Sequence, residues 1–161
     1  MPELVAAPVS ASRASTVRLM VPTDANFMGN VFGGQILSEV DRVAFITATR
    51  HAKANCVTAS FDRVDFILPV HVGEVVDFDA ELTYVGHSSM EVWVRVRSEA
   101  LAGGEPRLAA EAYVTVVAID SMGRPVPVPA LRLESDDERR RFEEGRRRME
   151  ARRRTRTARP A

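Results

Sequence analysis

The residue best suited to chemistry is Asp41, which stands among apolar residues on a predicted helix. Leu37 and Phe45 lie four positions to either side of it, so the three side chains share one helix face. A carboxylate on an apolar face is costly to bury in its charged form unless it is hydrogen-bonded, paired with a cation or used in a reaction. Two interpretations stay open: a reactive carboxylate, or one that pairs with Arg42 or Arg63 or reaches solvent.

A pair of glycines, Gly33 and Gly34, stands directly before this helix. Backbone N–H groups at a helix start have no partner within the helix, and the positive end of the helix dipole lies behind them. Because glycine has no side chain, a ligand can approach these N–H groups closely. The pair has the geometry of an oxyanion hole, but a glycine pair before a helix is most often a simple tight entry, and both roles stay open at this point. Asn30 in the same loop is either a neutral donor and acceptor or a turn residue.

Other catalytic and binding motifs are missing from the sequence. It contains no Gly-x-Ser-x-Gly elbow of a serine hydrolase and no Gly-x4-Gly-Lys-Ser/Thr loop for nucleotide phosphates. The three histidines, His51, His71 and His87, lack metal-ligand spacing, and the single Cys56 excludes an internal disulfide. We therefore expect no metal, no cofactor and no serine nucleophile.

The elements that position these residues follow from hydrophobic periodicity. Spacing of i, i+3 and i+4 predicts one helix over about residues 35–51. Alternation predicts strands over residues 16–21, 56–68, 75–85, 90–98 and 108–119, and the short turns between the last four favour antiparallel pairing. The apolar face of such a sheet has one helix to cover it. We therefore predict an α+β fold in which an antiparallel sheet wraps around one long central helix, in the order β-α-β-β-β-β.

The chain contains, in this order, the stretches MVPTDANFMGNVFGGQILSEVDRVAFITATRHA, VTASFDRVDFILPVHVGEVV and YVGHSSMEVWVRV. Together they resemble the hotdog-fold acyl-CoA thioesterases, in particular the branch of bacterial broad-range and animal cytosolic acyl-CoA hydrolases. The resemblance covers about residues 18–130, and its most specific part is D-x-N-x-x-G-x-x-F-G-G-x-x-L-x-x-x-D, which ends on Asp41. It implies a hotdog fold and hydrolysis of acyl-CoA to free carboxylic acid and coenzyme A.

The resemblance also implies roles for individual residues. Asp41 matches the catalytic carboxylate of the family, acting either as general base on water or as direct nucleophile. Gly33 and Gly34 match the pair that places a backbone N–H, here that of Gly34, against the thioester carbonyl. Asn30 matches a partner catalytic position across the dimer in some members, although many members of this branch have Asp there. Thr58 matches a hydroxyl that positions the water or the carboxylate.

A further set of residues is expected to bind substrate. The turn Gly86-His87-Ser88-Ser89 matches one that contacts coenzyme A, with His87 standing where the family usually has Arg, Lys or Asn. Gly33 is expected to contact substrate as well. Apolar positions that set the depth of the acyl pocket are expected to include Phe45, Phe66 and Leu68.

In such folds the site is completed between two subunits, so Asp41 of one chain is expected to face Asn30 or the Gly33-Gly34 loop of another. A homodimer is the expected minimum and a hexamer, built as a trimer of dimers, the expected assembly, with acyl-CoA as substrate. Two alternatives remain: a non-catalytic acyl-CoA-binding or sensing module, and a hotdog hydratase or dehydratase. The latter enzymes pair a His with an acid, and no His precedes the helix within the glycine loop.

The net charge of zero divides unevenly along the chain. Residues 1–131 hold 10 basic and 15 acidic side chains, whereas residues 132–161 hold 12 arginines and 7 acidic side chains. We expect a flexible leader over residues 1–15, a thioesterase domain over residues 16–131 and an Arg-rich segment over residues 132–161 that is helical or disordered. Binding of nucleic acid by that segment is its less favoured role. No stretch approaches the roughly 20 apolar residues of a membrane span and no secretory signal pattern is present, so a cytoplasmic location without a membrane partner is expected.

Overall fold

A computed structural model describes residues 4–157; the first three residues of the expected leader and the last four of the Arg-rich segment lie outside this range. The described chain forms strands and helices in the order β1 (Ala7–Pro8), β2 (Ala14–Leu19), α1 (Gly33–Ala52), β3 (Asn55–Phe66), β4 (Glu74–Val85), β5 (Ser89–Ala100), β6 (Arg107–Ile119), β7 (Leu131–Arg132) and α2 (Asp136–Thr157). From β2 to β6 this is the predicted β-α-β-β-β-β order.

Five strands form one antiparallel sheet in the spatial order β2-β4-β5-β6-β3. Their alternating sequences place one set of side chains on an inner face, where the residues of β4 to β6 are almost fully buried. Helix α1 packs on this face through residues that include Val40, Val43 and Ala44, so sheet and helix share one core. The prediction of an antiparallel sheet around one long helix is confirmed.

The main difference from the predicted boundaries is at the start of α1. The helix begins at Gly33, two residues before the predicted start, so the glycine pair forms its first turn rather than preceding it. The remaining boundaries agree with the predicted strands to within about two residues. The shift matters because it makes the N–H groups of both glycines part of the helix terminus.

The segment expected to be a flexible leader contributes to the fold within the described residues. Strand β1 pairs in parallel with β7, Val9–Ala11 form a 3-10 turn, and the side chain of Val9 is buried. The chain then enters β2 at Ala14, which is also buried. These contacts tie the chain before the sheet to the chain after it.

The Arg-rich segment forms α2, which packs against the outer face of the sheet. Arg148 makes two hydrogen bonds, of 2.7 and 3.0 Å, to the carboxylate of Glu91, a fully buried residue of β5. Arg141 donates one hydrogen bond to the buried Glu81 of β4, which also pairs with Arg13. Gly145 allows close approach, because a Cβ there would lie 2.8 Å from the Cβ of Tyr84. Charge pairing therefore positions a helix that has almost no apolar face.

Neither of the helices in the described range has the length and apolar character needed to cross a membrane.

Candidate active site

Asp41 lies on the third turn of α1, half-buried, and faces β3. The Thr58 hydroxyl Oγ1 donates a hydrogen bond of 2.6 Å to Asp41 Oδ1. A β-bulge interrupts the pairing of β3 with β6 directly after Thr58. Bulges re-aim neighbouring side chains, and this one lies where the strand presents its hydroxyl to the helix. The structure therefore joins two of the predicted site residues.

The alternative in which a neighbouring arginine neutralises Asp41 is wrong. Arg42 pairs with Glu39 at 2.6 Å, and Arg63 pairs with Asp65 at 2.6 Å. Among the residues described, no cation lies within ion-pair distance of Asp41. Its carboxylate thus has one neutral hydrogen-bond donor and no ion-pair partner among the described residues.

The first turn of α1 presents backbone donors without acceptors. Its N-cap residue, Phe32, makes no capping hydrogen bond through its side chain, and its carbonyl accepts from Gln35 and Ile36. Within the described range, the N–H groups of Gly33 and Gly34 have no hydrogen-bond acceptor. A Cβ on Gly34 would meet no atom within 4 Å, so the approach to its N–H is open. This arrangement can bind a negatively charged oxygen.

A network that the sequence did not predict positions the loop before α1. Arg18 of β2 pairs at 2.5 Å with Asp24 in the loop and at 3.0 Å with Glu39 on α1. Both carboxylates are buried, and the Asp24 backbone carbonyl accepts from the N–H of Phe32. Asp24 is the first residue of the D-x-N element of the motif, so its place in the motif is the one sequence signal that could have identified it. The three charges fix the loop against the helix and so hold the glycine turn in place.

Asn26 and Asn30 shape the same loop. Asn26 Oδ1 accepts hydrogen bonds from the backbone N–H groups of Met28, at 2.9 Å, and Asn30, at 3.2 Å. Asn30 also forms a β-bridge with His71. No hydrogen bond among the described residues joins Asn30 to Asp41. One chain alone therefore does not bring these two predicted site residues together.

An apolar pocket of about 420 Å³ opens beside the start of α1. Phe66 and Leu68 line it together with Gly33 and Ile36. The Phe66 ring packs so closely that a Cβ on Gly33 would lie 3.2 Å from its Cζ. Phe45 is different: it lies on an exposed part of α1 and does not line this pocket.

The turn Gly86-His87-Ser88-Ser89 lies apart from Asp41, between β4 and β5. It is closed by a 2.8 Å hydrogen bond from the N–H of Gly86 to the carbonyl of Ser89. His87 is exposed, and its backbone carbonyl accepts from Val128 at 2.9 Å. The two serines line a second pocket of about 240 Å³.

The histidines are scattered, as the sequence indicates. His51 is buried, and its Nε2 lies 2.7 Å from the carbonyl of Pro129. Burial lowers the pKa of His51 below its ordinary value, only partly opposed by that contact. Nowhere in residues 4–157 do three His, Cys, Asp or Glu side chains gather in a way that could hold a metal ion.

Gly34 and Asp41 lie far apart along α1. Asp41 lies seven positions after Gly34, which corresponds to about 10 Å at 1.5 Å per residue. A reacting carbonyl needs its oxyanion donor and its base each within about 3 Å. The Gly34 N–H and the Asp41 side chain of one chain therefore belong to different turns of α1, about 10 Å apart along its axis.

These features define a class by its fold: hotdog proteins, in which an antiparallel sheet packs around one long central helix. Residues 28–103 match the model of the thioesterase superfamily. An uncharacterized acyl-CoA thioester hydrolase of Bacillus subtilis is 45% identical over 117 residues, which is 73% of this chain and 68% of that protein. The chain belongs to the thioesterase superfamily, and within it to the acyl-CoA thioester hydrolases. Cytosolic acyl coenzyme A thioester hydrolases of rat, mouse and human are 38% identical over 140 residues, and the chain spans 37% of their length.

Solved structures agree over nearly the whole fold. The crystal structure of an apo-hexameric acyl-CoA thioesterase superposes with a TM-score of 0.90 at 39% identity, covering 96% of this chain and 99% of that one. The acyl-CoA hydrolase of Staphylococcus aureus, in complex with butyryl coenzyme A, coenzyme A and coenzyme A disulfide, has a TM-score of 0.87 at 37% identity, covering 94% and 92%.

Structures of variants of the S. aureus protein carry Ala in place of an Asp, a Thr or an Asn. In that protein the Asn precedes the Asp by 15 residues, and the Thr follows it by 17. The same residue types stand at the same spacings here in Asn26, Asp41 and Thr58. Asn26 is thus a candidate that the sequence analysis missed, although it is the N of the D-x-N element.

Proposed function

We propose that this protein hydrolyses acyl-CoA thioesters to free carboxylic acids and coenzyme A, with Asp41 as its reactive carboxylate. The observation that carries the proposal is the 2.6 Å hydrogen bond from Thr58 to an Asp41 that no described cation neutralises. A thioester carbonyl is already electrophilic, so a base and an oxyanion donor suffice without a Ser-His-Asp relay. Family membership supports the choice of acyl-CoA as substrate.

In the proposed reaction Asp41 takes a proton from water, and the resulting hydroxide attacks the thioester carbonyl. The carbonyl oxygen becomes negative and is bound by the Gly34 N–H at a helix N-terminus. When the tetrahedral intermediate collapses, the C–S bond breaks and the coenzyme A sulfur leaves, taking up the proton. Direct attack by the Asp41 carboxylate, followed by hydrolysis of the anhydride, uses the same groups. Neither route requires a metal or another cofactor.

The proposed site is shared between two chains, since about 10 Å separates Gly34 from Asp41 along α1. Strand β3, which carries Thr58, is a 12-residue edge strand with exposed Val57 and Phe61. A long apolar edge of this kind favours pairing with another strand. We propose that β3 meets a second copy there, as a dimer within a hexamer, so that Gly34 and an asparagine of one chain face Asp41 of the other. The hexameric state of a structural neighbour supports this assembly.

Asn26 and Asn30 are both candidates for the asparagine that faces Asp41. Asn26 has the spacing seen in the S. aureus protein, and its side-chain NH₂ remains available while Oδ1 holds the loop. We propose Asn26→Ala and Asn30→Ala as the test, with kcat measured for acyl-CoA. Loss of kcat in only one variant assigns the role to that residue. A cytoplasmic location and a thioesterase domain spanning about residues 16–131 complete the proposal.

Subunit complementation tests the shared site. Asp41→Asn and Gly34→Pro each remove one group, and a proline is tolerated in the first turn of a helix. In a mixed dimer, one site then combines the intact Asp41 of one chain with the intact Gly34 of the other. We expect each variant alone to be inactive and refolded equal mixtures to recover about a quarter of full activity. Mixtures without activity, from variants that assemble normally, would place both groups of each site on one chain.

A screen of short, medium and long acyl-CoAs with a thiol reagent tests the activity itself. We expect release of free coenzyme A from at least one chain length in the unmodified protein. Tight binding of acyl-CoA without release of thiol would instead identify a binding or sensing module.

A further inference from the structure

A cavity of about 490 Å³ lies at the C-terminal end of α1, between the last turn of the helix and the chain before β2. Arg50, His51 and Lys53 line it from the end of the helix. The rest of its lining is mainly apolar and includes Leu4, Val5, Ala7, Ala11 and Pro129. Cavities of this volume are typical of sites for small organic ligands.

This cavity is separate from the candidate active site. His51 lies ten positions after Asp41 and 17 positions after Gly34, which corresponds to about 15 Å and about 25 Å along the helix axis. The apolar pocket at the start of α1 shares no lining residue with it. A ligand in the cavity therefore lies away from both groups to which the proposed reaction assigns a role.

The two cations of the cavity differ from the other basic residues that precede α2. Residues 4–131 contain ten Lys and Arg side chains, and eight of them form an ion pair with a carboxylate. The remaining two, Arg50 and Lys53, make no ion pair with any residue in the described range. Nη1 of Arg50 donates a hydrogen bond of 3.1 Å to the backbone carbonyl of Arg13, which holds the guanidinium at the cavity without matching its charge. Two positive charges thus stand beside the cavity with no described carboxylate to neutralise them.

His51 adds a buried acceptor to the lining of the cavity. It is 2% exposed, and its Nε2 lies 2.7 Å from the carbonyl oxygen of Pro129. Because a carbonyl oxygen only accepts, Nε2 carries the hydrogen, and in the neutral ring Nδ1 is then an acceptor. Burial lowers the pKa of His51 and so favours the neutral ring. Nδ1 is buried and has no hydrogen-bond partner among the described residues, which is costly unless a ligand or water supplies a donor.

We propose that this cavity binds a carboxylic acid that has an apolar chain and a hydroxyl group close to the carboxylate. Arg50 and Lys53 bind the carboxylate, for which guanidinium groups offer bidentate geometry. The hydroxyl donates to Nδ1 of His51, and the chain packs on the apolar lining. The three side chains lie within four positions of the sequence, so the hydroxyl and the carboxylate are neighbours on the ligand, as in a β-hydroxy acid. The site goes beyond the proposed hydrolysis, which does not require it.

Calorimetric titration of the assembled protein with β-hydroxyoctanoate tests the site. We expect Arg50→Gln/Lys53→Gln to weaken binding roughly tenfold or more, as the loss of charged hydrogen bonds would do. Both side chains are exposed, so the variant should keep its fold. The control Arg107→Gln/Arg124→Gln removes the same charge from two exposed arginines outside the cavity and should bind like the unmodified protein. No binding by the unmodified protein, or equal affinity in the two double variants, would overturn the inference.

Two matched ligands test the individual contacts. Octanoate lacks the hydroxyl and methyl β-hydroxyoctanoate lacks the charge, so we expect both to bind more weakly than β-hydroxyoctanoate. Octanoate that binds as tightly would overturn the contact with His51, and an ester that binds as tightly would overturn the role of the two cations.

A variant of the other pocket shows where the acid binds. Leu68→Trp narrows the pocket at the start of α1 and should leave the affinity for β-hydroxyoctanoate unchanged. A loss of affinity in this variant would place the acid in that pocket and overturn the second site. Hydrolysis of acyl-CoA by the unmodified protein would still uphold the proposed function in that case.

Discussion

On the inner face of the sheet Asp41 is held by one neutral hydroxyl, whereas on the outer face Glu81 and Glu91 are held by arginines of α2. The outer carboxylates are the more deeply buried, and their charge is matched where it lies. Such pairing matters because a buried charge without a partner is strongly destabilising. The half-buried Asp41 has a hydroxyl and no described cation as its partner. The carboxylates on the two faces thus differ in the partners that hold them.

The largest expected effect is that of Asp41→Ala. It should lower kcat roughly 10²–10⁴-fold, the usual contribution of a general base, while the protein keeps its fold and stability. Thiol release from acyl-CoA and circular dichroism measure the two properties. Asp136→Ala, at a fully exposed carboxylate of α2, is the matched control and should change neither. Unchanged turnover in Asp41→Ala would refute its proposed role.

On the outer face, Arg148→Met should mainly lower stability, whereas Asp41→Ala should mainly lower kcat. It leaves the buried charge of Glu91 with only the Thr83 hydroxyl as partner, so we expect a loss of about 3 kcal/mol in the free energy of unfolding. Arg147→Met, which breaks an exposed pair with Glu143, should cost no more than about 0.5 kcal/mol. Urea unfolding measures both. Equal losses in the two variants would show that the buried pair does not hold α2.

A smaller effect is expected at the hydroxyl that holds Asp41. Thr58→Val removes its donor while keeping the shape of the side chain, and hydrogen bonds to charged groups are worth about 1.5–3 kcal/mol. We expect kcat to fall roughly ten- to a hundredfold and Thr58→Ser to keep most of the activity. A serine variant as impaired as the valine variant would indicate a packing role for the methyl group.

The smallest effect concerns His51, whose pKa burial lowers in the folded protein. Below about pH 6.5 the unfolded chain binds a proton that the folded chain does not, so stability falls as pH decreases from about 7.5 to 5.5. We expect His51→Gln to lessen this fall, measured as the difference between urea unfolding free energies at the two pH values. An identical slope in both proteins would show that other groups cause it.

Much of the fold was predictable because it follows from local patterns. Alternation in β4 and β5 and the spacing of Val40, Val43 and Ala44 on α1 depend on neighbours along the chain. The site was predictable in part, since Asp41 breaks the apolar face and the glycines mark the helix start. The ion pairs of Arg18 with Asp24 and Glu39 were not predictable, because nothing in the sequence distinguishes these three charged residues from others. Only the fold brings them together.

The packing of the Arg-rich segment also could not be predicted from the sequence. Its sequence predicts a helix or disorder, because Phe142 and Met149 are the only large apolar residues from Glu134 onward. Its packing depends on the carboxylates of the sheet, Glu81 and Glu91, which lie more than fifty residues away in sequence. The sequence shows that acidic residues predominate before residue 132 and arginines after it. It does not show which arginine pairs with which carboxylate of the sheet.

By itself the sequence determined the elements, the central helix and the unusual carboxylate on it, because periodicity and residue type act over a few positions. The tertiary structure alone decided that Thr58 reaches Asp41, that no described arginine neutralises it, and that α2 brings arginines to Ser88 and Ser89. These facts depend on contacts between residues far apart in the chain. Such contacts are set by how the sheet and two helices pack, and no local pattern encodes them.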